Sequence, residues 1–284
     1  AVSYNSLDGY GASLQDALTR AYPAYEAVGI RNPGGDYNQL ATSLLQIENE
    51  FYGTIRPKRV IFSGERPLHA LRERGVEYVE VRLLDLNPFL PVGINAQTMR
   101  FIDIFLLHCL LADSPNDTPD EIAALARNQH HTAARGREPG LRLERGGQEV
   151  TLVEWGAELM AAFGPIAAAL DAAHGSSDYS AALAAAQAGL DDASALPSAQ
   201  VLAAMAAEHE NSFVRFVRQQ SLQTREALLE LPFSDTQQAE FEAQSAQSVQ
   251  DQRAIEAADT LPFEQYREQY VSPRRLGIPQ TGTV

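Results

Sequence analysis

Glu80 and Arg82 stand two residues apart in the segment VEYVEVRLLDLNPFLPVGI, Val76–Ile94. In a β-strand, side chains alternate faces with period two, so Tyr78, Glu80 and Arg82 share one face, about 7 Å between the carboxylate and guanidinium positions. Val79, Val81 and Leu83 share the opposite face, the natural core side. A second segment, LQIENEFYGTIRPKR at Leu45–Arg59, reads the same way. Gln46, Glu48, Glu50 and Tyr52 are placed on one face; Leu45, Ile47, Asn49 and Phe51 point the other way. A sheet that presents carboxylates, an arginine and phenols to one cavity has the groups that metal–phosphate chemistry uses. It offers hard oxygen ligands for a divalent cation and a fixed cation for a phosphoryl group. The alternation also describes any half-solvated antiparallel sheet, in which Glu–Arg pairs contribute only tenths of a kcal/mol. The pattern alone therefore does not assign catalysis.

The elements that would carry these residues follow from local signals. Residues 1–15, with Gly9 and Gly11, read as a loop; Ser13 then caps a helix that stops near Pro23. Pro33-Gly34-Gly35 marks a turn, and Arg66–Leu71 predicts a short helix between the two strands. Met99–Ala112 is apolar nearly all round, the signature of a buried helix. His108 within it reads as a core histidine, and Cys109 as an inert buried thiol. From Thr118 to Tyr270 the chain is rich in Ala, Gln, Glu and Leu at helical spacing. Trp155, Leu159, Phe163, Ile166 and Leu170 mark one apolar face. Ser198 predicts the cap of one long helix through Leu202, Met205, Phe213, Phe216 and Val217, and Ser234 or Asp235 opens another to Ala258. Gly146-Gly147 inside Leu141–Leu152 predicts a hairpin. The expected organisation is α+β: a sheet domain at 1–115, a helical region at 116–270 that packs on it, and a loose tail at 271–284 containing Pro273, Gly277, Pro279 and Gly282.

Composition narrows the function classes. The 284 residues carry 37 acids against 22 lysines and arginines, a net charge of −15. That disfavours nucleic acid and anionic membrane surfaces as partners, because both need a basic face. Arg56, Lys58 and Arg59 nevertheless form a local basic cluster. One cysteine allows no internal disulfide, which fits a reducing, cytoplasmic setting. No run of about 18 uncharged apolar residues is present, so no membrane span is predicted. The N-terminal residues show no signal-peptide pattern and no initiator Met. GxxxxGK[ST], GxGxxG, CxxC and HExxH motifs are absent. His130 and His131 are adjacent and would point about 100° apart on a helix, so they do not share a metal.

Read in order, the motifs do point to a family. Leu-Gln-Ile-Glu-Asn-Glu-Phe-Tyr (45–52), Ile-Arg-Pro-Lys-Arg (55–59), Ser63-Gly64-Glu65, Gly75 through Arg82 and Asp85-Leu86-Asn87-Pro88-Phe89 closely resemble glutamate–cysteine ligase of the proteobacterial type. Gly136-Arg137 with Pro139-Gly140, Pro197-Ser198-Ala199, and Ala257 to Thr260 before Pro262-Phe263 continue the resemblance to about residue 270.

The resemblance implies a glutamine-synthetase-like antiparallel sheet and an ATP-dependent ligase. ATP would phosphorylate the γ-carboxylate of L-glutamate, and the amine of L-cysteine would attack that acyl phosphate to give γ-glutamylcysteine, the first step of glutathione synthesis. By motif, Glu80 matches a ligand of Mg²⁺ (or Mn²⁺), Arg82 the arginine on the transferring phosphate, and Tyr52 a wall of the cysteine pocket. Arg56 and Lys58 lie in the segment assigned to nucleotide or phosphate contact, with a structural ion-pair role equally open. The family's earlier half, with further metal carboxylates, is not matched here. The chain is therefore expected to be the C-terminal half, with the N-terminal half as its covalent or split partner. Two other readings stay open: a non-catalytic regulatory or binding subunit, and a related ligase for another amino acid or amine.

Overall fold

The computed structural model describes residues 2–82 and 84–276. In chain order it contains helices α1 (Leu7–Thr19) and α2 (Pro23–Val28), strand β1 (Ile55–Lys58), helix α3 (Pro67–Arg74) and strand β2 (Tyr78–Val81). Next come helices α4 (Ala96–Leu111) and α5 (Pro119–Arg135), then the β3 (Arg142–Arg145) and β4 (Gln148–Thr151) hairpin. Six further helices follow among the described residues: α6 (Leu152–His174), α7 (Asp178–Asp191), α8 (Pro197–Glu208), α9 (Phe213–Leu229), α10 (Asp235–Ala258) and α11 (Phe263–Val271). The class is α+β, with two small antiparallel sheets among the described residues. The chain divides into two units, Ala1–Leu84 with Phe233–Val284, and Asp85–Pro232. These bounds differ from a division at residue 115, because the last helices return to the first unit.

In the first unit, Tyr10, Leu14 and Leu18 of α1 pack on Leu68 and Leu71 of α3 and on Leu276. The helix starts at Leu7, not at Ser13, because the Ser6 hydroxyl accepts from Gly9 N at 3.0 Å and the Tyr10 ring is buried. Gly11 sits inside this helix for a packing reason: a Cβ there would lie 3.0 Å from the Arg72 guanidinium of α3. Pro273–Leu276 forms a 3₁₀ turn that carries Leu276 into the core, so this part of the expected tail is structured. Gly277, Pro279 and Gly282 lie outside the described residues, as does Leu83.

The segment from Leu45 is not one long strand. Glu48–Glu50 forms a 3₁₀ turn, and only Ile55–Lys58 pairs with β2. Period-two alternation therefore fails before residue 55, and Gln46, Glu48, Glu50 and Tyr52 do not form a common face. The aliphatic side of the ribbon is also not a core: Val79 is 49% exposed. A two-stranded ribbon has no second layer of its own to bury that side.

The second unit is built on α6. Its Phe163 and Ala167 are buried against Ile104 of α4, with Leu159, Ile166 and Leu170 on the same face. Thr151 and Glu154 form a capping box at its start, and Gly175 ends it at φ +63°. Asp171 accepts from the Tyr179 and Ser180 amides and so fixes the start of α7. By length and composition α6 could cross a bilayer, with a mean hydropathy of 1.2 over its most apolar window, but its centre is the packing surface of this unit. The hairpin forms as the sequence predicts, with Gly146 and Gly147 at φ +57° and +77° as a tight turn between twisted strands demands.

Two helical expectations change. In α4 only Ile104 is buried; Leu110 and Leu111 are 78% and 72% exposed, and Cys109 is exposed, not buried. His108 sits edge-on to Phe163 at 4.9 Å, the packing role predicted for it. The single long helix expected after Ser198 is two helices, α8 and α9. Glu210 and Asn211 take positive φ between them, and Pro197, not Ser198, begins α8 at its first turn. His130 and His131 are exposed, as predicted. Because Phe163 contacts Phe101, Phe105 and His108, Phe163→Ala is expected to cost about 3–5 kcal/mol in urea unfolding. A loss under about 1 kcal/mol would contradict this packing account.

Candidate functional site

The β1–β2 ribbon is short, and its register decides what meets what. Arg56 opposes Glu80 and Lys58 opposes Tyr78. The pairing extends on both sides, with Glu77 N donating to Lys58 O at 2.9 Å and Arg82 N donating to Thr54 O at 2.8 Å. Directly opposed residues in an antiparallel pair share a face. Arg56, Lys58, Tyr78 and Glu80 therefore project from one side, with Arg82 continuing it. Pro57 lacks an N–H and is tolerated in a strand that has one ladder partner.

Four of the five site residues read from the sequence come together. Glu80 Oε2 lies 3.5 Å from Lys58 Nζ and 3.6 Å from Arg82 Nη1. The Arg82 guanidinium lies over the Tyr52 ring, 4.4 Å from its centroid. Tyr52 itself is 68% exposed, so one face of the pair is open. Tyr52 reaches the cluster from the loop after the 3₁₀ turn, not from a strand. Glu80 Oε2 is sealed from solvent and has no hydrogen-bond partner, although its side chain is 38% exposed as a whole. A charged oxygen left without a hydrogen bond is costly. The cluster is thus an anion held at ion-pair distance by two cations, with bonding capacity unspent and a net positive charge.

Arg56 goes elsewhere. It is 6% exposed, and its Nη2 donates to the Glu48 carbonyl at 3.2 Å. The reading that it contacts phosphate has no open guanidinium to act through; the structural role left open for it is the one its surroundings match. Beneath it lies the buried pair that the sequence did not disclose. Arg66 and Glu48 are each 1% exposed, and Arg66 Nε donates to Glu48 Oε2 at 2.7 Å. Leu68 N also donates to Glu48 Oε1, at 3.4 Å, and Arg66 stacks over Tyr270 of α11 with its centre 4.8 Å from the ring. Glu48, expected to face a cavity, is therefore occupied as an internal counter-ion. Tyr4 fixes the start of β1 by donating to Ile55 O at 2.8 Å. Burial pushes its hydroxyl up to about 12, so it remains a donor across the neutral range.

The loop beyond β1 is held by further pairs. Val60 N donates to Glu77 Oε2 at 3.1 Å, and Arg74 grips Glu65 with two nitrogens at 2.7 and 2.8 Å. Those Arg74 hydrogen bonds, with the Phe62 amide, hold the Glu65 carboxyl at about 2. Among the described residues no group of three or more His, Cys, Asp or Glu is arranged to hold a metal. The orphaned Glu80 oxygen can supply one ligand to a divalent cation, and Mg²⁺ needs near-octahedral oxygen coordination.

Comparison with known proteins gives this geometry a context. The family model for glutamate–cysteine ligase matches residues 1–132. A glutamate–cysteine ligase of Pseudomonas fluorescens Pf-5 is 45% identical over 261 residues, 92% of this chain and 49% of that protein. One from Alcanivorax borkumensis is 43% identical, covering 95% and 52% respectively. A crystal structure of Francisella tularensis glutamate–cysteine ligase in complex with AMP superposes with a TM-score of 0.85 at 31% identity, over 95% of this chain and 53% of that one. The chain spans about half the length of the curated relatives it matches.

Two outcomes test this description. Glu48→Gln strands the Arg66 charge and is expected to cost about 3–5 kcal/mol by urea unfolding, with Glu48→Gln/Arg66→Met recovering part of the loss. Equal losses in single and double variants would contradict it. Glu65 titrates below its ordinary 4.5 when folded, so its contribution is present above pH about 4.5 and is lost as pH falls toward 2. Arg74→Gln should flatten the fall in stability between pH 5 and 2; an unchanged slope would remove the pair from the account.

Proposed function

We propose that this chain, a relative of the glutamate–cysteine ligases over about half their length, supplies the phosphate-facing ribbon of an ATP-dependent ligase active site. The observation that carries the reading is the Glu80 oxygen, buried and unbonded between Lys58 and Arg82, with Tyr52 beneath the arginine. The reaction is formation of γ-glutamylcysteine from L-glutamate and L-cysteine through a γ-glutamyl phosphate. Arg82 stabilises charge on the phosphoryl group as it moves from ATP to the γ-carboxylate. Its planar fork is held in place by the Tyr52 ring, so little ordering is needed when phosphate arrives. Lys58 adds a second positive charge on the same face and orients the nucleotide phosphates. Tyr52 forms one wall for the incoming cysteine amine. Neither Arg82 nor Lys58 is asked to transfer a proton; the carboxylate is activated by phosphorylation, and the ribbon contributes position and field.

Glu80 would hold one coordination position of Mg²⁺ or Mn²⁺, whose bound form supplies charge neutralisation between phosphate oxygens. Because one carboxylate is insufficient, the remaining ligands are assigned to the complementary half of the enzyme. That partner also has surface to cover. Within the second unit Leu86, Leu110 and Leu111 are more than 70% exposed, and within the first Val79, Phe62 and Val60 are open. The AMP held by the Francisella relative supports a nucleotide site in this family. A cytoplasmic setting is part of this proposal; the single cysteine, which allows no internal disulfide, supports it.

The test is γ-glutamylcysteine formation with ATP and Mg²⁺ by the chain alone and after reassembly with the complementary half of a close relative. The chain alone is expected to be inactive and the reassembled enzyme active, with Arg82→Gln reducing kcat about 10²- to 10³-fold. Full turnover by the isolated chain would overturn the assignment of the remaining ligands to a complementary half. Reassembled Glu80→Gln and Arg82→Gln enzymes that turn over normally would overturn the reading in favour of a non-catalytic interaction subunit.

A further inference from the structure

A second cationic feature stands within the first unit, apart from the residues given catalytic roles. The loop from Phe62 to Arg66, His69 of α3, and Arg274 with Arg275 line a cleft of about 370 Å³. Both walls are anchored. Arg275 Nη1 donates to Gly64 O at 3.0 Å, and Arg72 Nη1 donates to Leu276 O at 2.9 Å, with Leu276 itself in the core. The cleft therefore exists before any ligand arrives. Its internal charges are already partly spent: Glu65 is gripped by Arg74, and Arg66 by Glu48. What remains is donor-rich. Arg274 and Arg275 have no carboxylate within ion-pair distance among the described residues, although acids outnumber lysines and arginines 37 to 22. His69 Nδ1 is sealed from solvent and has no hydrogen-bond partner.

We propose that this cleft is a binding site for a small phosphate-class anion, held by Arg274, Arg275 and the His69 ring. Two adjacent guanidinium groups match the oxygens of a phosphate or diphosphate, and an unsatisfied ring nitrogen gains a partner when such an anion enters. The volume suits a diphosphate or the phosphate chain of a nucleotide. The site is independent of the roles given to Glu80 and Arg82.

Isothermal titration of the 284-residue chain with pyrophosphate, and separately with ATP, in metal-free buffer tests it. The variant R274Q/H69Q leaves the Arg275 bond to Gly64 O intact, and near-ultraviolet circular dichroism checks that the core is unchanged. Saturable pyrophosphate binding is expected, weakened about tenfold or more in R274Q/H69Q and unchanged in R82Q. Tighter binding of ATP than pyrophosphate with the same variant loss supports the cleft and identifies a nucleotide; the reverse order supports it and identifies free phosphate. No saturable binding, binding indifferent to R274Q/H69Q, or binding lost in R82Q overturns the proposal.

Discussion

The first unit depends on one buried ion pair. Glu48 and Arg66 are both removed from water, and each spends its hydrogen-bonding capacity on a different part of the chain. The Glu48 carboxylate takes Arg66 and the start of α3, while its carbonyl takes Arg56 of β1. Arg66 in turn reaches the ring of Tyr270 in α11. A single pair thus joins the 3₁₀ turn, the first strand, the helix between the strands and the last helix. Such a pair adds little net stability compared with apolar residues of equal size, but breaking it leaves an uncompensated charge inside. That asymmetry fixes where β1 begins, and with it where Lys58 stands opposite the second strand.

On this frame the chain builds a local field opposed to its overall charge. The protein carries fifteen excess negative charges, yet the exposed part of the ribbon gathers Lys58 and Arg82 around one carboxylate. Surface ion pairs of this kind contribute little to stability. Here the geometry is also poor for stability, since the distances exceed hydrogen-bond range and one oxygen is left unbonded. A group arranged at a cost to the fold is a reason to look for a ligand that completes it. A phosphate would take up the arginine and lysine, and a divalent cation the carboxylate.

The sequence disclosed the chemistry better than the geometry. Glu80 and Arg82 were legible by period two, because Glu80 lies in a true strand and the Arg82 amide continues its pairing; Lys58 was legible through its motif, and the register sets it opposite Tyr78, beside them. Tyr52 was legible through its motif; its route to the site, through a loop and under Arg82, was not. Glu48 misled because it sits in a 3₁₀ turn, where alternation has no meaning. Arg66 gave no signal at all: its partner lies eighteen residues earlier, and nothing local marks a buried arginine before a proline-started helix. The helices were read well where caps are explicit, as at Ser234, and poorly where two residues with positive φ interrupt a continuous helical pattern at Glu210 and Asn211. The all-apolar α4 was expected to be buried from its composition alone; only Ile104 is, and Leu110 and Leu111 near its end are exposed, because an apolar pattern says what a helix can bury and not which neighbour covers it.

The account turns on what binds at Glu80 and Arg82, and crystallography of the reassembled enzyme with ADP and Mn²⁺ addresses that directly. Anomalous scattering should locate a manganese ion coordinated by Glu80, with a nucleotide phosphate hydrogen-bonded to Arg82 and Lys58 withdrawn from the carboxylate. A nucleotide whose phosphates lie elsewhere, with Glu80 still paired to Lys58 and no metal beside it, would contradict the account.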